Sequence, residues 1–309
     1  MNRRNFLGTV AVALSASGNA LGATSKGDAG QARRMHERRI PRAQGGESLP
    51  VIGMGTWNTF DVGAKGAERA PLVEVLDAFF AAGGKVIDSS PMYGHAEAVT
   101  GDLVQQLRKQ PNTFYATKVW TSGREKGLAQ IERSMLLLKT PQIDLLQIHN
   151  LVDWRTHAQT LRSLKDEGRI RFTGITHYTV AGHADMESVL SAARFDFAQF
   201  NYSIATRGAE QRLLPYCQER RVGVLINRPF EEGALFMKVG GRKLPGYAAE
   251  IGCASWAQFF LKFIASHPAV TCVIPATSRV THMRDNLQAG VGPMPDAKLR
   301  ERMAKDFAK

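Results

Sequence analysis

Three short apolar runs in this chain end at or beside a chemically active side chain. The run VID ends in Asp88, FYATKV contains Lys118 next to its end, and IDLLQIH ends at His149. Tyr93 follows Asp88 by five residues. Asp is rarely buried without a partner, and a nearby cation favours the ionised form of a phenol. If they converge, this carboxylate, ammonium group, phenol and imidazole can transfer a proton.

The pattern after residue 48 predicts elements that would bring these side chains together. Strands are predicted at about 51–57, 85–90, 114–119, 143–150, 170–177, 195–202, 222–229 and 271–276. Helical spacing predicts helices at about 69–82, 96–108, 126–139, 155–167, 181–193, 208–220, 254–266 and 281–289. Eight such units predict an α/β fold, a (β/α)8 TIM barrel, in which residues at the carboxyl ends of strands are typically catalytic. A doubly wound sheet is the rival, but GMGTW lacks the third glycine of a dinucleotide-binding turn.

Composition narrows the class of protein. The chain has 309 residues and a formal net charge of +12, and its basic residues are scattered apart from a dense run at 33–42. No interleaving of aromatic and basic residues accompanies them, so we expect a solvated basic surface and no nucleic-acid partner. Three widely spaced cysteines argue against both a disulfide framework and a zinc site.

The first residues have the features of a targeting segment. Arg3 and Arg4 precede Phe6-Leu7, a weakly apolar stretch and a small-residue site ending at Gly22. This order resembles a twin-arginine export signal, and the apolar stretch is too short to span a membrane. We therefore predict a signal peptide at 1–22, a linker at 23–38 and the barrel at 39–309. The translocation machinery would be a partner, the location periplasmic, and stable membrane insertion absent.

Seven motifs together resemble the aldo-keto reductase family. GMGTW, VIDSSPMYG, ATKVW, IDLLQIHN, GRIRFTGIT, QFNYS and VIPATSRVTHMRDN occur in the family order at the predicted strand ends. The resemblance extends from Leu49 to about Asn286 and implies a TIM barrel that binds NADPH across its carboxyl-end mouth. It also implies reduction of a carbonyl to an alcohol without a metal.

The residues themselves suit that chemistry. Hydride addition builds negative charge on the carbonyl oxygen, which needs a proton and nearby donors. Tyr93 would supply the proton, and Lys118 would lower its pKa from about 10. Asp88 would hold Lys118 in place, and His149 would donate to the carbonyl oxygen or help relay the proton.

The resemblance also implies further site residues. The expected cofactor contacts are Thr176, Gln199, Arg228, Thr277, Arg279, His282 and Asn286, and the expected substrate-pocket walls are Trp57 and Trp120. The cofactor would be NADP(H), with NAD(H) left open because Ala276-Thr277 replaces a Lys-Ser of several members. Tyr202 would either stack on the nicotinamide or pack below it. The glycine-containing loop 231–252 would be a lid or a plain insertion, and its position favours the lid.

Two other functions remain open from the sequence. A metal-dependent TIM-barrel hydrolase or isomerase would need several ligands converging on an ion, and Lys118 between Asp88 and His149 would repel one. A non-catalytic cofactor-binding or sensor protein on the same barrel would have no use for the proton donor Tyr93.

Overall fold

The structure, a computed structural model, describes residues 34–309. Eight parallel strands form its central sheet in sequence order. They are β3 (Met54–Gly55), β4 (Val86–Asp88), β5 (Phe114–Val119), β6 (Ile143–His149), β7 (Ile170–Thr176), β8 (Phe197–Asn201), β9 (Gly223–Asn227) and β10 (Cys272–Val273). Isolated parallel bridges from Ile52 to Val273 and from Gly55 to Ala276 join the first strand to the last. The predicted (β/α)8 barrel is confirmed.

Helices follow the strands and cover the outside of the barrel. They are α1 (Gly66–Ala81), α2 (Ala96–Gln106), α3 (Arg124–Leu138), α4 (Trp154–Asp166), α5 (His183–Ala192), α6 (Leu213–Glu219), α7 (Ala234–Lys238), α8 (Trp256–Ala265), α9 (Val280–Gln288) and α10 (Ala297–Ala308). Apolar residues of these helices pack on the outward-facing strand residues in one large core. In the strands, side chains alternate between this layer and the barrel interior, so every second residue points inward.

The barrel interior is filled by a separate, smaller core. Phe114, Phe172 and Phe197 pack there in contact with one another. Ile40 and Leu49 join the same core from a hairpin of β1 (Glu37–Arg39) and β2 (Ser48–Pro50). The hairpin therefore covers the amino ends of the strands, and the carboxyl ends are left as the mouth.

The linker predicted at 23–38 ends earlier than expected. His36 is bonded to the barrel body through its backbone N–H, which donates to the Gly290 carbonyl at 2.8 Å, and β1 begins at Glu37. The dense basic run suggested a solvated tail, but its residues Glu37–Arg39 pair with β2. The first part of the predicted linker (23–33) and the predicted signal peptide (1–22) lie outside the residues that the structure describes.

The loop 231–252 is anchored rather than free to close. Leu235 and Val239 are buried, and Arg242 donates to the Asp306 carbonyl of α10 at 2.7 Å. Trp256 Nε1 donates to the Arg242 carbonyl at 3.0 Å. The structure therefore favours the insertion over the lid that the sequence favoured. Among the helices of residues 34–309, none has the length and apolar character needed to cross a membrane.

Candidate active site

A buried ion pair lies at the carboxyl ends of β4 and β5. Lys118 Nζ lies 2.7 Å from Asp88 Oδ2, and it also donates to the Ser89 carbonyl at 2.6 Å. Lys118 is fully buried and Asp88 is 3% exposed. Burial lowers the pKa of Lys118, but the charge of Asp88 and the nearby phenol of Tyr93 outweigh it, so that pKa is raised. Lys118 is therefore a cation.

Two amides hold the other oxygen of Asp88. Gln147 Nε2 and Gln199 Nε2 donate to Asp88 Oδ1 at 3.0 and 2.8 Å. Gln199 also donates to Gln147 Oε1 at 3.2 Å and accepts from Thr176 Oγ1 at 3.2 Å. The opposite amide orientation would turn Gln199 Oε1 toward the carboxylate, so these partners fix the assignment. The predicted cofactor residue Thr176 thus bonds to Gln199, and Gln199 bonds to Asp88.

Tyr93 lies directly against Lys118. Lys118 Nζ is 4.8 Å from the centre of the Tyr93 ring. Gly94 takes a positive φ of 59°, and the turn is fixed where the His95 N–H donates to Asp61 Oδ1 at 2.8 Å. Burial raises the pKa of Tyr93, and the charge of Lys118 offsets only part of this. The sequence shows the cation but not the burial, so a lowered pKa was expected for Tyr93; in the fold its pKa is raised and it remains protonated at neutral pH.

His149 is neutral and has a defined orientation. It is 5% exposed, and burial, followed by the charge of Lys118, lowers its pKa to about 3. Its ring is nearly perpendicular to that of Tyr93, with centres 6.1 Å apart. Ser90 Oγ lies 3.2 Å from His149 Nδ1. If the hydroxyl donates to Nδ1, the ring proton is on Nε2, where it can meet a substrate oxygen.

Two residues of this group, Gln147 and Ser90, are not among those predicted from the sequence. Gln147 could have been found from the alternation along β6, because Leu145, Gln147 and His149 are two residues apart and so face the same side. Ser90 stands inside the VIDSSPMYG motif, but nothing in the sequence distinguishes its role from that of Ser89.

One predicted pocket wall contacts this group. The Trp120 and His149 rings have centres 6.2 Å apart, and the Trp120 backbone is fixed by Gln130 Oε1, which accepts its N–H at 2.6 Å. Trp57 follows β3 at the same end of the barrel. Both tryptophans are 42% exposed, which is unusual for so large an apolar side chain.

Of the predicted cofactor residues after β10, Thr277, Arg279 and His282 lie at the start of α9, and Asn286 lies near its end. Thr277 Oγ1 accepts from the Arg279 N–H at 3.1 Å, so its hydroxyl orders this turn. Thr277 and Asn286 are buried, whereas Arg279 and His282 are exposed. Within residues 34–309, Arg279 forms no ion pair. Its guanidinium is therefore open to an anion.

Arg228 lies apart from both the Asp88–Lys118 pair and the residues around α9, and it contacts Tyr178 and Glu232. Its guanidinium lies 5.7 Å from the centre of the Tyr178 ring and 3.2 Å from Glu232 Oε1. No contact links it to the Asp88–Lys118 pair.

A buried acceptor beside Gln199 fits a carboxamide group. Asn227 Nδ2 donates toward the His177 carbonyl at 3.3 Å and Gln199 Oε1 at 3.4 Å. Asn227 Oδ1 is buried and has no hydrogen-bond partner in the described part of the chain. A buried acceptor without a donor is costly, and the amide of a nicotinamide is a donor of the type it lacks. The residues present therefore fit a nicotinamide cofactor.

Tyr202 does not face the mouth. It is fully buried, and its hydroxyl donates to Glu210 and accepts from Arg300 of α10. Of the two alternatives given by the sequence, packing is correct and stacking on a nicotinamide is not. Residues 34–309 contain no group of three or more His, Cys, Asp or Glu placed to hold a metal ion.

The chain is similar to several known proteins. Residues 51–304 match the model of the Aldo/keto reductase family. The chain is 27% identical over 257 residues to the methylglyoxal reductase YeaE of Escherichia coli, covering 81% of this chain and 88% of that protein. It is 32% identical over 261 residues to the 9,11-endoperoxide prostaglandin H2 reductase of Trypanosoma cruzi, covering 82% and 86%. A Klebsiella pneumoniae aldo/keto reductase solved with NADP and acetate has the same fold, with a TM-score of 0.70, 24% identity and coverage of 84% and 92%.

Proposed function

The chain belongs to the aldo/keto reductase family, and from this premise we propose that Asp88, Tyr93, Lys118 and His149 are the catalytic residues of a carbonyl reductase that prefers NADP(H). As a member of the family it is an NAD(P)H-dependent oxidoreductase that reduces a carbonyl to an alcohol. The observation that carries the assignment of residues is the buried Lys118–Asp88 pair, whose ammonium lies 4.8 Å from the Tyr93 ring centre.

Each residue has a distinct part in the reaction. The bound reduced nicotinamide supplies the hydride. Tyr93, protonated at neutral pH because burial raises its pKa, gives its phenolic proton to the carbonyl oxygen. Lys118 stabilises the phenolate left behind, and Asp88 keeps Lys118 charged and in place. His149 donates from Nε2 to the same oxygen and stabilises the charge that develops there.

The preference for NADP(H) over NAD(H) rests on one residue. Arg279 is an exposed cation at the start of α9, without an ion-pair partner among residues 34–309, and suits a 2′-phosphate. Asn227 Oδ1 is a buried acceptor that the nicotinamide carboxamide of either cofactor would satisfy, so it supports nicotinamide binding and not the preference. The Klebsiella pneumoniae relative of the same fold was solved with NADP, which agrees with this preference.

A direct assay tests the proposed function. The purified protein is mixed with NADPH or NADH and a panel of aldehydes and ketones that includes methylglyoxal, the substrate named for the Escherichia coli relative. We expect oxidation of NADPH by at least one carbonyl, with a higher kcat/KM than for NADH. No turnover across the panel, with the cofactor demonstrably bound, would contradict the catalytic assignment.

We further propose that the protein is exported by the twin-arginine route. The support is the order of Arg3-Arg4, Phe6-Leu7 and the small-residue site at Gly22, together with three buried free thiols at Cys217, Cys253 and Cys272 that fit export of a prefolded chain. Replacing Arg3 and Arg4 by lysine should leave the uncut chain in the cytoplasm. Full periplasmic yield from that variant would refute the proposal.

A further inference from the structure

Four arginines surround a cavity at the end of the barrel opposite the catalytic residues. The cavity has a volume of about 290 Å³ and is lined by Pro41, Arg42, Ala43, Arg194, Arg220 and Arg221. A second cavity of about 480 Å³ shares all four arginines. These arginines follow β1 or precede β8 and β9, so they lie at the amino ends of strands. We call them the arginine pocket.

Backbone carbonyls hold two of the four guanidinium groups. Arg42 donates to the carbonyls of Phe195 and Arg220, the latter at 2.7 Å. Arg221 donates to the Pro41 carbonyl at 2.8 Å. These bonds tie three chain segments together around the cavity, and they fix the position of charge without neutralising it. Arg194 forms no side-chain hydrogen bond in the described residues, and Arg220 lies over the Tyr216 ring at 5.5 Å.

The positive charge of the arginine pocket is poorly compensated. None of the four arginines has a carboxylate within 4.0 Å among residues 34–309, although exposed arginines elsewhere, such as Arg212, do. Asp196 is the carboxylate whose charge raises the pKa of Arg42. It is already bonded to Lys165 at 2.5 Å and accepts from the Thr173 N–H at 2.9 Å. Among the residues of the described chain that line the larger cavity, Glu219 is the one carboxylate, and the smaller cavity has none.

This arrangement carries an electrostatic cost that an anion would remove. Burial, and then the charges of Arg194 and Arg221, lower the pKa of Arg42, although Asp196 opposes them. Like charges gathered at one site destabilise the folded chain. A guanidinium binds phosphate oxygens through parallel N–H donors, and several of them suit a multiply charged oxyanion.

We propose that the arginine pocket is a binding site for a phosphate or diphosphate group, separate from the catalytic mouth. A volume of about 290 Å³ is at the lower end for ligand pockets, so it accommodates an anionic head group rather than a large apolar ligand. The group belongs either to a soluble phosphorylated molecule or to an anionic lipid. Both present the same phosphate oxygens to the same guanidinium groups.

Inorganic pyrophosphate is the probe for the soluble source. The native protein is first saturated with NADP⁺, so that the catalytic mouth is filled, and pyrophosphate is then titrated by calorimetry at low salt, where exposed charges are least screened. The pocket variant carries Arg194→Gln and Arg220→Gln, which spare the backbone bonds of Arg42 and Arg221. The control variant carries Arg133→Gln and Arg162→Gln, two exposed arginines outside the pocket, and has the same net charge.

We expect saturable binding of one pyrophosphate, weakened about tenfold or more in the pocket variant and by less than about twofold in the control. Carbonyl reduction should be the same in all three proteins. Without pyrophosphate, the pocket variant should unfold at a temperature no lower than that of the control, because it has lost two of the clustered like charges. Equal weakening in both variants would show only a general charge effect and would overturn the proposal.

Vesicles containing phosphatidylglycerol form the second arm. If the native and control proteins sediment with them and the pocket variant does not, the phosphate group recognised is that of a lipid. Absence of saturable pyrophosphate binding, combined with equal vesicle binding by all three proteins, would also overturn the proposal.

Discussion

Replacing Lys118 by methionine should remove most carbonyl reduction. Lys118 Nζ lies 4.8 Å from the Tyr93 ring centre. At an effective dielectric constant of about 20, a unit charge at that distance stabilises the forming phenolate by about 3 kcal/mol. That energy corresponds to a rate loss of about two orders of magnitude. Without the cation the pKa of Tyr93 rises further, so any remaining alcohol oxidation should need a higher pH.

Stability must be separated from catalysis in this variant. Lys118→Met leaves the buried carboxylate of Asp88 with amide donors but no counter-charge, and breaking a buried pair costs about 3–5 kcal/mol. The double variant Lys118→Met/Asp88→Asn removes the unpaired charge and should recover most of the lost thermal stability. It should not recover activity, because the cation beside Tyr93 is still absent.

The assay follows the absorbance of the reduced cofactor in both reaction directions across pH, alongside thermal unfolding by circular dichroism. A Lys118→Met protein that keeps its rate within about threefold of the parent, with the parent pH profile, would refute the role of Lys118. Recovery of activity in the double variant would refute it as well.

Three further predictions concern neighbouring groups. Ser90→Ala should lower kcat about fivefold to tenfold through loss of one hydrogen bond and alter the ¹⁵N tautomer signature of His149, while NADPH affinity stays unchanged. Ser90→Thr should restore both kcat and the tautomer signature. Because the pKa of His149 is about 3, kcat/KM for reduction should show no ionisation of this residue at neutral pH. The unfolded chain takes up a proton near its ordinary pKa of 6.5, so stability should fall as pH drops from 6.5 toward 3, and less so in His149→Gln. Arg279→Ala should weaken NADPH about tenfold in a fluorescence titration and leave NADH unchanged, and Arg284→Ala on the same helix should change neither.

The barrel and the strand-end residues could be predicted because both follow from local pattern. Apolar runs of strand length alternate with helical spacing, and parallel strands place their last residues at one end of the sheet. Asp88, Lys118 and His149 were assigned to that end, and the structure places them there. Strand β1 (Glu37–Arg39) was not predicted, because its basic sequence suggested a solvated tail. Its pairing with β2 depends on backbone groups, which composition does not reveal.

The interior layer of the site could not be predicted. Gln147 and Gln199 come from strands separated by β7, and their meeting on Asp88 depends on the stagger of the closed sheet rather than on sequence spacing. The pKa of Tyr93 was expected to fall, since the motif displays the cation but not the burial that outweighs it. Two helices were not predicted from the sequence. Helix α10 (Ala297–Ala308) has only a narrow apolar stripe, and α7 has only five residues, too few to show a helical period.

The central claim is that Tyr93 delivers the proton in a family member built for carbonyl reduction, and Tyr93→Phe tests it most directly. The substitution keeps the ring against Lys118 and removes the hydroxyl alone. With a carbonyl that the native protein reduces, kcat should fall by about a thousandfold, within the range for loss of a general acid, while NADPH affinity stays within about twofold. A Tyr93→Phe protein that reduces the same carbonyl within about tenfold of the native rate would contradict the account.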